Sequence, residues 1–346
     1  MCEARGFKAN NKHCSKDFQA AADRYCKFWV KGGTMKHLTL GYLSTMYHTS
    51  HIIKAEQWIE QEMTITSAWK LFPTGPAMLE AFANGTIDIG YIGLPPAMIG
   101  IAKGLPIICI AGGHTEGTVM IAPPSFDSCD ERVSIDQVLM QFEGKKLGTP
   151  TKGSIHDVII RNLIEEKKVN IEITNFSWAD LIPEALEKGT LAAAVGTPPL
   201  AVISKKECAT KIVIPPSLLW PYNPSYGIVV RKELFKNTGV LENFLLLHER
   251  ASNLIREQPL EAAAIVANEI KVVDSDFIMD VFSISPKYCA SLPEPYRAST
   301  MKFIPVLTRL GYITKSLTAD DVFDLSIVTA VHPGQEHYSH PGRLAP

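Results

Sequence analysis

The chain has 346 residues, 46% of them hydrophobic and 20% charged, with a formal net charge of −2 at pH 7. That composition excludes a disordered or fibrous polymer and leaves room for two domains or one protein of two lobes. The near-neutral charge gives no global reason to expect nucleic acid or an anionic membrane as partner.

No run of about 18 apolar residues is free of charges and turn formers, so no membrane-spanning helix is expected. The first residues, "MCEARGFKANNKHCSKDFQ", mix charges where a secretory signal needs a continuous apolar segment. Read as it stands, the chain is expected in the cytoplasm, with an extracytoplasmic location as the alternative if its start differs. The seven cysteines contain no CxxC pair, which suggests neither a disulfide framework nor a zinc ribbon.

Residues 1–34 read as an appended arm in which "SKDFQAAADRYCKFWVK" is an amphipathic helix. The even spacing of Cys2, Cys14 and Cys26 would put consecutive thiols about 120° apart around a helix, a poor arrangement for sharing a metal.

From Lys36 the pattern becomes alternating strand and helix. "HLTLGYL" is a strand, "SHIIKAEQWIEQEM" a helix, "TSAWKLFP" a strand, "TGPAMLEAFANG" a helix, "TIDIGYI" a strand, "PPAMIGIAKG" a helix and "LPIICIAGG" a strand. A second round follows in the same order: "FEGKKLGTP", "SIHDVIIRNLIEEKK", "VNIEITNF", "WADLIPEALEKG", "LAAAVG", "PPLAVISKK" and "CATKIVIP". The phrase around Gly85-Thr86 and Pro95-Pro96 recurs around Gly189-Thr190 and Pro198-Pro199. The fold class is therefore α/β, two lobes on one plan, each a mostly parallel sheet flanked by helices.

Past Tyr226, "GIVVRKELF" is extended and a run of helices is expected to cover the first lobe. The division expected is lobe 1 at 35–122 plus 228–330, lobe 2 at 123–227, and a flexible tail at 331–346. His332, His337 and His340 lie in that tail, where no rigid element is expected to position them, so no metal site and no cofactor are expected.

In open α/β sheets, ligands bind beyond the carboxyl ends of the strands. The turns there are "STMYHTS", "GLPP", "GGHTEG", "PTKGSIHD", "SWAD", "GTPP" and "WPYNPSY". In the Gly-Leu-Pro-Pro and Gly-Thr-Pro-Pro turns, Gly permits close backbone approach and Pro presets the first helical turn. The same turns would also serve strand exit alone. Thr151, Lys152, Gly153 and Ser154 open a helix in the manner of an anion site, although helix capping by Ser154 accounts for the pattern equally. His48, near His51, and His114, beside Glu116, could hydrogen-bond a ligand or serve as caps and hinge residues. No GxGxxG after a strand, GxxxxGK[ST], HExxH or GxSxG is present, so catalysis is not expected.

The ordered series "LTLGYLSTMYHTSHIIKAEQW", "AMLEAFANGTIDIGYIGLPPAMIGIAKGLPIICIAGG", "FEGKKLGTPTKGSIHDVIIRNLIEE" and "ADLIPEALEKGTLAAAVGTPPLAVI" resembles the type II solute-binding proteins of ABC transporters, in the nitrate, sulfonate, taurine and pyrimidine-precursor branch. The resemblance covers about Lys36 to Val328. It implies a monomer that closes two lobes over a small anionic or planar molecule and serves an ABC permease. It places Ser44, Thr45, Tyr47, His48, Gly93 and Leu94 on one wall, and Thr151, Lys152, Ser154, Trp178 and Thr197 on the other. Trp220, Tyr222 and Asn223 would lie by the return crossover, and His114 completes the expected ligand set. The fold implied is shared by the yeast-type pyrimidine synthase of thiamine biosynthesis, whose early Tyr-His turn resembles Tyr47-His48. A cytoplasmic enzyme or ligand sensor on that fold is the alternative function.

Overall fold

The computed structural model describes residues 35–339 and 342. The arm at 1–34 with its three cysteines, and His340, lie outside the described residues. The first round of the repeat runs β1 (His37–Leu43), α1 (Ser50–Ala55), β2 (Thr66–Phe72), α2 (Gly75–Ala83), β3 (Ile89–Ile92), α3 (Leu94–Ala102) and β4 (Ile107–Thr115). After β5 (Val119–Ala122), the second runs β6 (Lys146–Pro150), α4 (Ile155–Lys167), β7 (Glu172–Phe176), α5 (Ile182–Glu187), β8 (Ala193–Gly196), α6 (Pro198–Cys208) and β9 (Lys211–Ile214). The chain then returns through β10 (Pro224–Arg231).

The two rounds end their second helices in the same way. Gly85 and Gly189 take left-handed φ values of 64° and 67°, a conformation that costs glycine least. The next residue closes the turn twice over. The Thr86 N–H and hydroxyl both donate to the Ala81 carbonyl, and those of Thr190 both donate to Ala185. Local chemistry thus explains why the Gly-Thr pair is written twice. One expected element is divided: Gln57, at φ 52°, breaks the helix after β1 into α1 and a second piece, Trp58–Met63.

Two five-stranded sheets result, ordered β2-β1-β3-β10-β4 and β7-β6-β8-β5-β9. The orders are equivalent. In each, a strand antiparallel to its neighbours is inserted before the last strand: β10 in the first sheet and β5 in the second. The chain therefore crosses between sheets at 116–118 and again at 220–223, a few residues ahead of the boundaries expected at 122 and 227. Both inserted strands are apolar runs buried on both faces, the pattern of a central strand. Such a run does not by itself say which sheet it joins.

The C-terminal helices include α7 (Thr238–Glu257), α8 (Pro259–Ile270), α9 (Ser275–Ile284) and α10 (Ser326–Val331). They cover the first sheet, where Tyr91, Tyr226, Ile228 and Phe244 share one core, and α9 reaches across to α6. Within residues 332–339, expected to be flexible, Tyr338 is packed while Pro333, Gly334, Gln335 and Ser339 are exposed. Tyr338 is 1% exposed, and its hydroxyl donates to the carbonyls of Cys289 and Ser291 at 2.6 and 3.1 Å. A buried tyrosine with its hydroxyl satisfied is enough to hold a short segment down.

Candidate ligand cleft

The carboxyl ends of both sheets face one cleft. Its first wall is the turn after β1 (Ser44, Thr45, Tyr47, His48), the turn after β2 (Thr74, Gly75) and Gly93 after β3. Opposite stand Pro150, Ser154, His156, Asp180 and Thr197, with Ser225 of β10 between the walls. Thr74, Gly93 and Thr197 are the residues preceding α2, α3 and α6, and none of them caps its helix with a side chain. Three helix starts with their partial positive charge thus border the cleft. Ser154 does cap α4, accepting from the Asp157 N–H.

Among the lining residues Asp180 is the one carboxylate, and no lysine or arginine is present. Burial raises the Asp180 carboxyl above the usual range. His48 is held well below the usual histidine range, first by burial and then by His51, His114 and His248. Burial also lowers His156 to about 4, against the pull of Asp157. Near neutral pH both rings are uncharged, each with one donor and one acceptor.

His48 forms part of the floor. It is 1% exposed, sets its ring at 4.0 Å from that of Tyr226, tilted by 37°, and meets the edge of Tyr47 at 4.8 Å. Among the described residues neither ring nitrogen has a hydrogen-bond partner, and the Thr45 hydroxyl beside it has none either. Buried polar groups are nearly always paired, at a cost of about 1–3 kcal/mol when they are not. By contrast Tyr47 is fixed, its hydroxyl 2.9 Å from Ser225 Oγ.

Of the residues singled out from sequence, the structure brings Ser44, Thr45, Tyr47, His48, Gly93, Ser154 and Thr197 together around this cleft. The others stand elsewhere. Leu94 is fully buried beneath the wall. His114 lies under the floor, 4.8 Å from the Tyr47 ring, with Nε2 donating to the Ser285 carbonyl at 2.5 Å and burial lowering it to about 3. The Thr151 hydroxyl donates to the Phe176 carbonyl, Lys152 is exposed and Trp178 half-buried, and none of the three lines the cleft. Trp220, expected to stack on a solute, stacks on Phe303 at 4.0 Å and donates from Nε1 to Ser299 Oγ. Tyr222 and Asn223 belong to the return crossing. There Glu116 N–H donates to the Asn223 carbonyl, and the Tyr222 N–H donates to Glu116 Oε1.

Sequence reasoning named the turns that hold His156, Asp180 and Ser225 without singling those residues out, and it missed Thr74 and Gly75, together with Val273 and Phe277 from the C-terminal helices. Thr74-Gly75-Pro76 has the same turn grammar as Gly93 and Thr197 and could have been found. Nothing local marks Val273 or Phe277, which arrive from a distant part of the chain.

Two α/β lobes with matching strand orders, joined by two crossings around a cleft of helix starts, define a two-lobed binding-protein fold. The chain belongs to the NMT1-like family, whose pattern it matches over residues 32–271. A protein of Brucella abortus (strain 2308), provisionally named as a binding protein, is 22% identical over 239 residues, 67% of this chain and 71% of its own length. The alkanesulfonate-binding protein SsuA from Xanthomonas axonopodis pv. citri, solved with MOPS bound, superimposes with a TM-score of 0.73 at 14% identity. The match covers 85% of this chain and all of that one. The periplasmic nitrate-binding protein NrtA from Synechocystis PCC 6803 does so with a TM-score of 0.69 at 13% identity, covering 90% of this chain and 93% of its own. These neighbours are binding proteins. The periplasmic setting of the fold's matches overturns the expected cytoplasmic location, which rested on where the chain begins, a feature that carries no information on compartment.

Proposed function

We propose that the protein is an extracytoplasmic solute-binding protein that closes over a small organic anion, the sulfonate class foremost, and delivers it to an ABC-type permease. The observation that carries this reading is the pair of unpartnered groups, His48 and Thr45, set among helix starts that no side chain caps. An anionic head at that point would accept from a neutral ring N–H, a hydroxyl and backbone amides without needing a cationic side chain. Pro96, Ile155, Leu200, Ile203 and Phe277 line the rest of the cleft. An apolar or planar remainder fits such a lining, which favours an organic anion over bare nitrate or bicarbonate; a pyrimidine-like solute would use the same surfaces.

Binding without chemistry is supported by the relatives and solved neighbours, which are binding proteins. A thermal-shift panel of alkane- and arylsulfonates, nitrate, bicarbonate and pyrimidines tests the reading. A cognate solute at a hundredfold excess over its Kd stabilises by about 2.7 kcal/mol. No shift with any member of the panel would refute it.

A further inference from the structure

Away from the cleft, four side chains from three separate parts of the chain converge on one point. Glu249 projects from α7, Cys289 from the extended stretch that runs beside β4, His332 from the residue ending α10, and His337 from the turn that follows. One ligand atom from each lies within 4.8 Å of all the others.

The separations are specific. His332 Nε2 and His337 Nδ1 are 3.3 Å apart, and Cys289 Sγ is 3.5 and 3.6 Å from those two nitrogens. Glu249 Oε1 is 3.7 Å from the first and 3.3 Å from the second. A tetrahedron with metal–ligand bonds of about 2.0–2.3 Å has edges of about 3.3–3.7 Å. All five separations fall on such edges. Hydrogen bonding alone serves this geometry poorly, because each imidazole nitrogen faces three heteroatoms at once and carries at most one proton.

The surroundings also suit a bound cation. Glu249 Oε2 accepts the Ala290 N–H at 2.7 Å, which leaves Oε1 directed at the cluster. Cys289 Sγ accepts the Ser291 N–H at 3.4 Å and has Ser291 Oγ at 3.1 Å, contacts that orient the sulfur. Arg256 on Glu249 balances part of the negative charge of the ligand set. Glu249 and Cys289 are buried, while His337 remains partly exposed and offers a path for entry.

We propose that Glu249, Cys289, His332 and His337 form a closed four-coordinate site for a borderline-soft divalent metal, zinc foremost. One thiolate, two imidazoles and one carboxylate match the donor preferences of that ion. With all four positions supplied by protein, the site is structural rather than catalytic. It fastens residues 332–339 onto α7 and the edge of the first sheet, and none of its four ligands lines the cleft. The histidines that sequence reading assigned to a loose tail are thus two ligands of a site whose other two lie well upstream.

The test uses the full chain, stripped of metal by chelation, and titrates Co²⁺ and then Zn²⁺ alone. The expected result is one Co²⁺ per chain with the visible absorption of tetrahedral cobalt and a sulfur-to-cobalt charge-transfer band, displaced by Zn²⁺. Cys289→Ser should lose that band. His337→Ala, a change at a partly exposed side chain, should weaken binding at least tenfold with the circular dichroism unchanged. Failure of the wild-type chain to bind stoichiometrically would overturn the proposal. So would retention of the band and affinity in both variants, which would assign the metal to other residues, the arm cysteines included. Neither readout depends on solute binding.

Discussion

On the reading proposed above, a bound solute would remove the cost His48 bears with both ring nitrogens buried and without a partner among the described residues. Replacing it with an apolar ring of similar shape separates the two roles. His48→Phe should keep the packing on Tyr226 and leave the unliganded unfolding midpoint unchanged or slightly raised. Solute affinity should fall about tenfold or more, equivalent to about 1.4 kcal/mol. Isothermal titration beside urea unfolding checks both; an unchanged Kd would remove His48 from the site. Gly113 is a second sensitive position. A Cβ there would sit 2.1 Å from the Tyr226 ring, which itself underlies His48, so Gly113→Ala should destabilise by about 1–3 kcal/mol through overpacking. Urea denaturation measures that directly, and a loss below about 0.5 kcal/mol would contradict the packing argument.

At the scale of elements, the two crossings between sheets are clipped together. Glu116 and Tyr222 sit at left-handed φ values of 61° and 57°. Glu116 accepts from the Tyr222 N–H and pairs with Lys287 at 2.6 Å. Glu116→Ala should lower stability by about 1–3 kcal/mol and also shift solute affinity, by changing the population of the closed form, although Glu116 lines no part of the cleft. Small-angle scattering with and without solute distinguishes this from a purely structural clip, for which only the stability would move.

The alternation of strands and helices was legible because its signals are local: glycine past a helix end, proline in a first turn, apolar runs of strand length. The turn after β1 was legible for the same reason, since strand ends in such sheets face ligands. Partnerships across long sequence distances were not. The sheets that β5 and β10 join depend on pairing far along the chain. Trp220 reads as a stacking aromatic, but only the fold shows that Phe303 is what it stacks on. The histidines at 332 and 337 were noticed, while Glu249 and Cys289 gave no sign of meeting them.

Taken whole, the molecule keeps four uncharged histidines in or under the cleft: His48 well below its usual range, His114 at about 3, and His156 and His248 at about 4, each chiefly by burial. In the unfolded chain each would titrate near 6.5. Because the folded values are the lower ones, the associated stability is fully present above about pH 6.5 and is lost as pH falls toward 4. Each ring contributes at most about 1.4 kcal/mol per pH unit over that window. The unfolding midpoint should fall steeply between pH 6.5 and 4, with uptake of up to four protons by these rings. Calorimetry across buffers of different ionisation enthalpy would detect that uptake, and a flat profile would refute it.

The inserted strands also order events in time. The second sheet draws all its strands from one continuous stretch, Val119 to Ile214, whereas the first cannot join β3 to β4 until β10 lies between them. A chain that folds from its N-terminal end as it enters its compartment must therefore hold β4 without its central neighbour while the later sheet is being made. Stalled nascent chains ending just before and just after β10 should differ sharply in protease resistance of the first sheet, while the second is already protected in both.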